Sequence, residues 1–278
     1  MLGVIIAILI GLVAGVLMVK LMPNVFNPHI IFSEKAPLLV SLTLSFLIGY
    51  MVLYAPSIAF YITLIFAGLI GLAFAYAYSG HITLFGGSGF SRANVGYALL
   101  IPGAIHLMIL LMLLMSPASI IQAHTALPIS LMQGVPVAVA IPILLLEEYF
   151  LVALPEELYF RAFLVEGVSK CTSYTVSIGL AMATWIGLHA ITRIPAGAAI
   201  ALIPIGAGGI ALTWLYMATR NIGVTALAHA AYNTLIELVA ELAQVDVGLA
   251  LGAFLFGTLF ELAAGAILLT TGPYRAEI

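Results

Sequence analysis

Long apolar runs alternate with short polar stretches along the whole chain. A helix needs about 17 to 25 predominantly apolar residues to cross a bilayer, and each run is long enough. Nine runs can be placed, at about residues 2–22, 37–55, 57–78, 96–116, 128–153, 173–191, 198–218, 222–242 and 248–270. The count falls to eight if Pro56 kinks one helix instead of separating two, and Pro155 could likewise break or bend a helix that continues to about Gly167.

This pattern predicts an all-α polytopic membrane protein, a bundle of eight or nine transmembrane helices. Of the 278 residues, 64% are hydrophobic and only 7% are charged, whereas about a quarter of the residues of a soluble domain are charged. A transmembrane barrel is excluded because its strands would be about ten residues long and of alternating polarity. The sequence contains no repeat or change of composition, so we expect a single membrane domain over residues 1–278 with the lipid bilayer around it.

The few charged residues indicate orientation and exclude one class of partner. The net charge is -3 and the basic residues are scattered, so no nucleic-acid surface is expected. The first apolar run begins at Leu2 without a preceding basic region, which favours a retained helix over a cleaved signal. With nine spans, one side holds only Arg193, and the other side, expected to be cytoplasmic, holds Lys20, Lys35, Arg92, Lys170, Arg220 and Arg275. This count puts the amino terminus outside and the carboxyl terminus inside, and an eight-span count would reverse part of the assignment. We expect the active site to open to the cytoplasmic side.

Ionisable side chains are concentrated in the second half of the chain. A charge within the hydrocarbon costs at least about 2.5 to 3.5 kcal/mol, so such residues are functional candidates. The candidates are Glu147, Glu148, Glu156, Glu157, Arg161, His189, His229, Asn233, Glu237, Glu241 and Glu261. In the earlier spans we read His106 as a hydrogen-bonded structural donor, and in the last span Glu261 needs a partner within the bundle.

The segment Pro155-Glu156-Glu157-Leu158-Tyr159-Phe160-Arg161 carries the densest charge. Glu157 and Arg161 are four residues apart, a spacing that favours an ion pair on a helix. Glu156 is rotated by about 100° from Glu157 on an α-helix, so it can face a different environment. It is therefore the better candidate for a general base that activates water.

Two further helices carry polar pairs at the same spacing of four. Trp185 precedes His189 by one turn, and His229 precedes Asn233 by one turn. An imidazole and a carboxamide on one rigid face could stabilise the oxyanion that forms when a peptide carbonyl is attacked. His229, Asn233, Glu237 and Glu241 continue at steps of four. This spacing predicts a polar stripe that faces the bundle interior and lines a water-accessible cavity leading to Glu156.

In order and approximate spacing, these three elements resemble the signature of the type II CAAX prenyl endopeptidases, also called the CPBP or abortive-infection family. The resemblance covers about residues 150–240, the expected catalytic core, and departs only in having Trp185 where phenylalanine is frequent. It implies an intramembrane glutamic endopeptidase acting near the carboxyl terminus of a prenylated or membrane-associated substrate. Glu156 would activate water, His189 would hold that water or move its proton, His229 and Asn233 would bind the oxyanion, and Glu157 and Arg161 would orient the first motif.

Two other functions are compatible with the same residues. Glu and His at depth can form the proton or cation path of a transporter or channel, although transporters more often show paired repeats. A family member could also retain the motifs without catalysing a reaction.

A zinc site is the alternative to metal-free catalysis, because Glu156, His189 and His229 could act as three ligands. The familiar His-Glu-x-x-His helix is absent, and Asn233 is a poor zinc ligand but a good hydrogen-bond donor. We therefore expect catalysis without a metal or any other cofactor.

Overall fold

The computed structural model describes residues 89–115, 137–169, 172–193 and 199–270, and this part of the chain is helical without strands. A short 3₁₀ turn spans Ala199–Ala201. The helices are α1 (Arg92–Met115), α2 (Val137–Glu147), π1 (Glu148–Ala153), α3 (Leu154–Glu157), π2 (Leu158–Gly167), α4 (Tyr174–Arg193), α5 (Leu202–Thr219), α6 (Ile222–Val245) and α7 (Val247–Thr270), where π1 and π2 are π-helical.

The predicted helical character is confirmed for the described residues. Helices α1, α4, α5, α6 and α7 contain five segments that are long and apolar enough to cross a membrane. Their bounds lie within about four residues of the apolar runs from which they were predicted. The predicted runs at 2–22, 37–55 and 57–78 lie outside the described residues, so the total of eight or nine spans stays a prediction.

Pro155 does not end its helix. Helical structure continues from Val137 to Gly167, with α3 lying between two π-helical segments. A proline lacks an N–H donor, and its ring crowds the preceding turn of an α-helix. The wider i→i+5 turn of π1 relieves that crowding, and such π turns are frequent at functional sites. The two consecutive acids of the first motif, Glu156 and Glu157, lie at the end of α3, directly before π2.

The chain divides into two units. The described part of the first unit consists of residues 158–169 and 172–184, that is, π2 and the first half of α4. Within it, the Tyr174 hydroxyl donates to Glu166 Oε2 at 3.0 Å. The rings of Tyr159 and Phe160 meet edge to face, and the guanidinium carbon of the buried Arg161 lies 5.8 Å from the Phe160 ring centroid.

The described part of the second unit consists of residues 89–115, 137–157, 185–193 and 199–270. Helix α6 is central in this unit because it contacts α1, α2, π1, α3, α5 and α7. Small residues allow the approach to π1, where Ala226 and Ala230 pack against Ala153. Towards α1 and α7, Leu235 packs with Ile109 and Phe254. Side chains on α6 can therefore meet groups from several other helices.

Glycines bring α1 and α7 together closely. A Cβ atom added at Gly265 would lie 2.9 Å from the Gly96 carbonyl oxygen and 2.9 Å from the Leu100 backbone nitrogen. Backbone atoms cannot yield as a flexible side chain can, so only glycine fits at this position. Small residues at helix interfaces serve the same purpose in membrane proteins generally, because close backbone approach increases van der Waals contact.

The start of α6 is fixed by Asn221. Its side chain accepts a hydrogen bond from the Val224 backbone N–H at 3.0 Å, which caps the helix. Its Nδ2 also donates to the Gly89 carbonyl at 3.0 Å, just before α1. The preceding residue, Arg220, ends α5 in a left-handed conformation with φ of 50°. This turn sets the position from which the polar residues of α6 follow.

Candidate active site

The two acids of α3 face the first histidine of α6. His229 Nδ1 lies 2.9 Å from Glu157 Oε1, a hydrogen-bond distance. On the other side of the ring, His229 Nε2 lies 3.9 Å from Glu156 Oε2, which is too long for a direct hydrogen bond. The Glu157 side chain is completely buried, whereas that of Glu156 is 12% exposed. The acid predicted to act on water is therefore the more accessible of the two.

The Glu157 contact determines what His229 can do. A carboxylate only accepts hydrogen bonds, so an ionised Glu157 requires a proton on Nδ1 of His229. If the imidazole is to donate towards a substrate as well, Nε2 must also carry a proton, and the ring is then an imidazolium. The negative charge of Glu157 at 2.9 Å stabilises that form. The pair thus resembles the carboxylate–histidine arrangement that holds an imidazole in one orientation.

Trp185 links the two histidines of the motifs. His189 donates through Nδ1 to the Trp185 backbone carbonyl at 2.8 Å, so in the neutral ring the lone pair lies on Nε2. The indole lies against His189, with ring centroids 4.8 Å apart, and meets the His229 ring edge to face at 5.4 Å. Its Nε1 donates to the Ile205 carbonyl at 3.1 Å, which fixes the indole against α5. The predicted aromatic therefore positions both imidazoles.

A cavity lies beside these rings. It offers about 40 Å³ to the centres of water-sized molecules, more than the minimum of about 10 to 15 Å³ that one water requires. Its polar side consists of His189, His229 and Asn233, and its other walls consist of Trp185, Tyr232, Ala228 and residues of α1 and α5: Ile101, Pro102, Ile105, Pro204, Ile205, Gly208 and Leu212. Three of the four predicted catalytic residues thus line one largely apolar cavity, whereas Glu156, Glu237 and Glu241 are not among its lining residues.

Asn233 makes a contact that its spacing from His229 did not predict. Its Nδ2 donates to Glu148 Oε2 at 2.7 Å. Glu148 is 4% exposed and lies in π1. The carboxyl group of Glu237, one turn after Asn233 on α6, lies next to that of Glu148. The polar stripe of α6 therefore faces protein through His229, Asn233 and Glu237.

A second polar group lies where α1, α6 and α7 meet. His106 Nδ1 lies 2.6 Å from Glu261 Oε2, and His106 Nε2 lies 3.2 Å from the Tyr232 backbone carbonyl. The His106 ring also stacks on the Tyr232 ring, with centroids 5.1 Å apart and an interplanar angle of 6°. Two predictions from the sequence are confirmed: His106 is hydrogen-bonded, and Glu261 has His106 as its partner within the unit.

The remaining site predictions have different outcomes. Arg161 is buried in π2, and its pairing with Glu157 stays a prediction. Glu147 and Glu241 are half-buried. In the part of the chain that the structure describes, no three His, Cys, Asp or Glu residues lie close enough together to hold a metal ion. Catalysis without a metal stays a prediction.

Comparison with known proteins bears on the segment that contains the site. Residues 137–235 match the family model of Type II CAAX prenyl endopeptidase Rce1-like proteins. The resemblance predicted from the motifs is thereby confirmed. The Rce1-like segment covers a little over a third of the chain and contains Glu156, His189, His229 and Asn233. No curated protein and no solved structure matches the chain.

The apolar helices indicate an integral membrane protein, and the family whose model matches residues 137–235 is a family of proteases. Sequence reasoning missed Glu148 as the partner of Asn233 and Glu157 as the partner of His229. Glu148 was a candidate only because it is an acid at membrane depth. No local spacing signal could have identified its partner, which lies 85 residues further along the chain.

Proposed function

We propose that the protein is an intramembrane endopeptidase that resembles CAAX prenyl proteases. It cleaves a peptide bond near the carboxyl terminus of a prenylated or membrane-associated substrate. The observation that carries the proposal is the position of Glu156 opposite His229, within the segment that matches the Rce1-like family. That match does not favour the alternative of a transporter or channel. The experiments below would also detect a family member that does not catalyse cleavage.

Glu156 acts as the general base in this proposal. Its carboxylate takes a proton from a water molecule while the water oxygen attacks the carbonyl carbon of the scissile bond. His189 accepts a hydrogen bond from the other O–H of the water through Nε2, the nitrogen that does not donate to Trp185, and so holds the water in place. The proton held by Glu156 then passes to the leaving nitrogen as the C–N bond breaks. Water and peptide are thus converted to a carboxylic acid and an amine without a covalent enzyme intermediate.

His229 and Asn233 bind the oxyanion. His229 donates through Nε2, and the Glu157 carboxylate stabilises the imidazolium from the opposite side of the ring. Asn233 donates through Nδ2, which carries two hydrogens and uses one for Glu148. Removing a single oxyanion donor typically lowers kcat by about 10² to 10³-fold, so each of the two residues is expected to matter individually.

The apolar walls of the cavity favour an apolar substrate side chain next to the scissile bond. Ile101, Ile105 and Leu212 offer it no hydrogen-bond partners, so a polar side chain would lose its hydration without compensation. A lipid-modified or membrane-embedded peptide reaches such a site from the bilayer. The distribution of Lys and Arg supports an opening on the cytoplasmic side.

Purified full-length protein in detergent provides the test. It should release the last three residues from a farnesylated peptide ending in a CAAX sequence, and mass spectrometry of products formed in H₂¹⁸O should find the label in the new carboxyl group. The same peptide without its prenyl group measures how much the lipid contributes. A protein that cleaves neither this peptide nor any peptide of a membrane-protein library would contradict the proposed function.

A further inference from the structure

Glu148, the hydrogen-bond acceptor for Asn233, lies outside the three motifs. Glu148 is the first residue of π1 and precedes Glu156 in α3 by about two helical turns. Its Oε2 accepts the Asn233 Nδ2 hydrogen at 2.7 Å, within the range of ordinary N–H···O hydrogen bonds. Because Glu148 is only 4% exposed, little water is available to replace Asn233 as its hydrogen-bond donor.

A carboxamide can present either end to a neighbour. Rotating the Asn233 side chain by half a turn would exchange its oxygen and nitrogen with little change in shape. The nitrogen end can stabilise an oxyanion, whereas the oxygen end would repel it. An acceptor that holds the nitrogen in place therefore decides whether Asn233 assists the reaction.

We propose that Glu148 is a positioning residue that holds the Asn233 carboxamide with its nitrogen towards the oxyanion. The inference rests on the proposed function, in which Asn233 is an oxyanion donor. Glu148 binds one Nδ2 hydrogen, and the other is directed to the substrate oxygen. The Glu237 carboxyl group, on the same helix as Asn233, lies next to that of Glu148 and, when protonated, can donate a hydrogen bond to it.

Kinetics of single and double variants test the inference. Asn233→Ala should lower kcat by about 10² to 10³-fold, as expected for an oxyanion donor. Glu148→Ala should lower kcat by about 10 to 10²-fold at unchanged KM, because it removes the constraint but not the donor. Glu148→Gln keeps an oxygen acceptor and should restore kcat to within about threefold of wild type. Glu147→Ala, in the neighbouring position, should leave kcat unchanged.

The double variant Glu148→Ala/Asn233→Ala separates positioning from other roles. If Glu148 acts through Asn233, the double variant should be no slower than Asn233→Ala alone. Multiplicative losses in the double variant, or a Glu147→Ala loss equal to that of Glu148→Ala, would overturn the inference. If Glu148→Ala does not fold, Glu148→Leu, which fills similar space, takes its place.

A readout independent of catalysis is available because the chain has only five asparagines. In protein labelled with ¹⁵N-asparagine, the side-chain amide signals of Asn233 can be assigned by their absence in Asn233→Ala. One Asn233 side-chain amide proton should exchange slowly with water in wild type, and its resonance should shift upfield in Glu148→Leu. Equal, fast exchange of both protons in wild type would overturn the inference. If the wild-type protein shows the slowly exchanging Asn233 amide proton but cleaves no peptide, only the proposed function is contradicted.

Discussion

His229 donates through Nδ1 to Glu157 Oε1 at 2.9 Å, joining residues that are 72 positions apart in sequence. The two acids at the end of α3 thereby have different environments. Glu157 is completely buried against the imidazole, whereas Glu156 keeps 12% exposure on the side of Nε2. Adjacent carboxyl groups with different surroundings can take different roles, one electrostatic and one as a base.

Glu157→Gln tests the electrostatic role. Glutamine keeps the shape and can still accept from His229 Nδ1, but it cannot balance the positive charge of an imidazolium. We expect kcat to fall by about 10²-fold, the cost of weakening one oxyanion donor, while KM and the thermal midpoint in detergent change little. Steady-state kinetics with the farnesylated peptide measure this effect. Wild-type kcat in Glu157→Gln would show that the charge of Glu157 is dispensable.

Gly208→Leu tests whether the cavity receives a substrate side chain. A Cβ atom at Gly208 would lie 3.7 Å from Ile105 Cδ1, an ordinary contact, so alanine should be tolerated. A leucine would fill the cavity and should lower kcat/KM by about 10 to 200-fold, the usual effect of changing a hydrophobic pocket by one or more methylenes. Gly206→Leu, on the same helix but outside the cavity lining, is the control. Equal losses in the two variants would argue against the cavity.

Glu261→Ala tests the buried group formed with His106. The substitution leaves the completely buried imidazole without its carboxyl partner, and breaking a buried pair in this way costs about 3 to 5 kcal/mol of unfolding free energy. Thermal or denaturant unfolding in detergent measures the loss, with Phe260→Ala on the exposed side of α7 as control. Replacing both partners with apolar residues should cost less than either single change. An unaltered unfolding midpoint in Glu261→Ala would refute this role.

Chelation tests the metal-free mechanism. Activity of the purified protein should persist in EDTA and in phenanthroline, because base, water and oxyanion donors are all provided by side chains. If chelation abolished activity and stoichiometric zinc restored it, Glu156, His189 and His229 would instead be identified as zinc ligands.

The sequence predicted the bounds of the helices better than the hydrogen-bond partners of the site residues. The bounds of α6 and α7 agree closely with the apolar runs, since a long hydrophobic segment in lipid must satisfy its backbone within itself. His229 and Asn233 were identified because i, i+4 positions share a helical face. Their acceptors, Glu157 and Glu148, depend on how α3 and π1 pack against α6. The π-helical turns around Pro155 change the angular spacing that an α-helix would give, so local periodicity could not place these acids.

The central claim is that Glu156 is the base, and the most direct test is the turnover of Glu156→Gln. Glutamine keeps the shape of the side chain but cannot accept a proton from water at neutral pH. The variant and wild type should be purified in the same detergent, matched by thermal midpoint, and compared on the farnesylated peptide with Glu147→Gln as control. We expect cleavage to disappear in Glu156→Gln, with the midpoint unchanged, and to persist in Glu147→Gln. Turnover by Glu156→Gln at the wild-type rate would contradict the assignment.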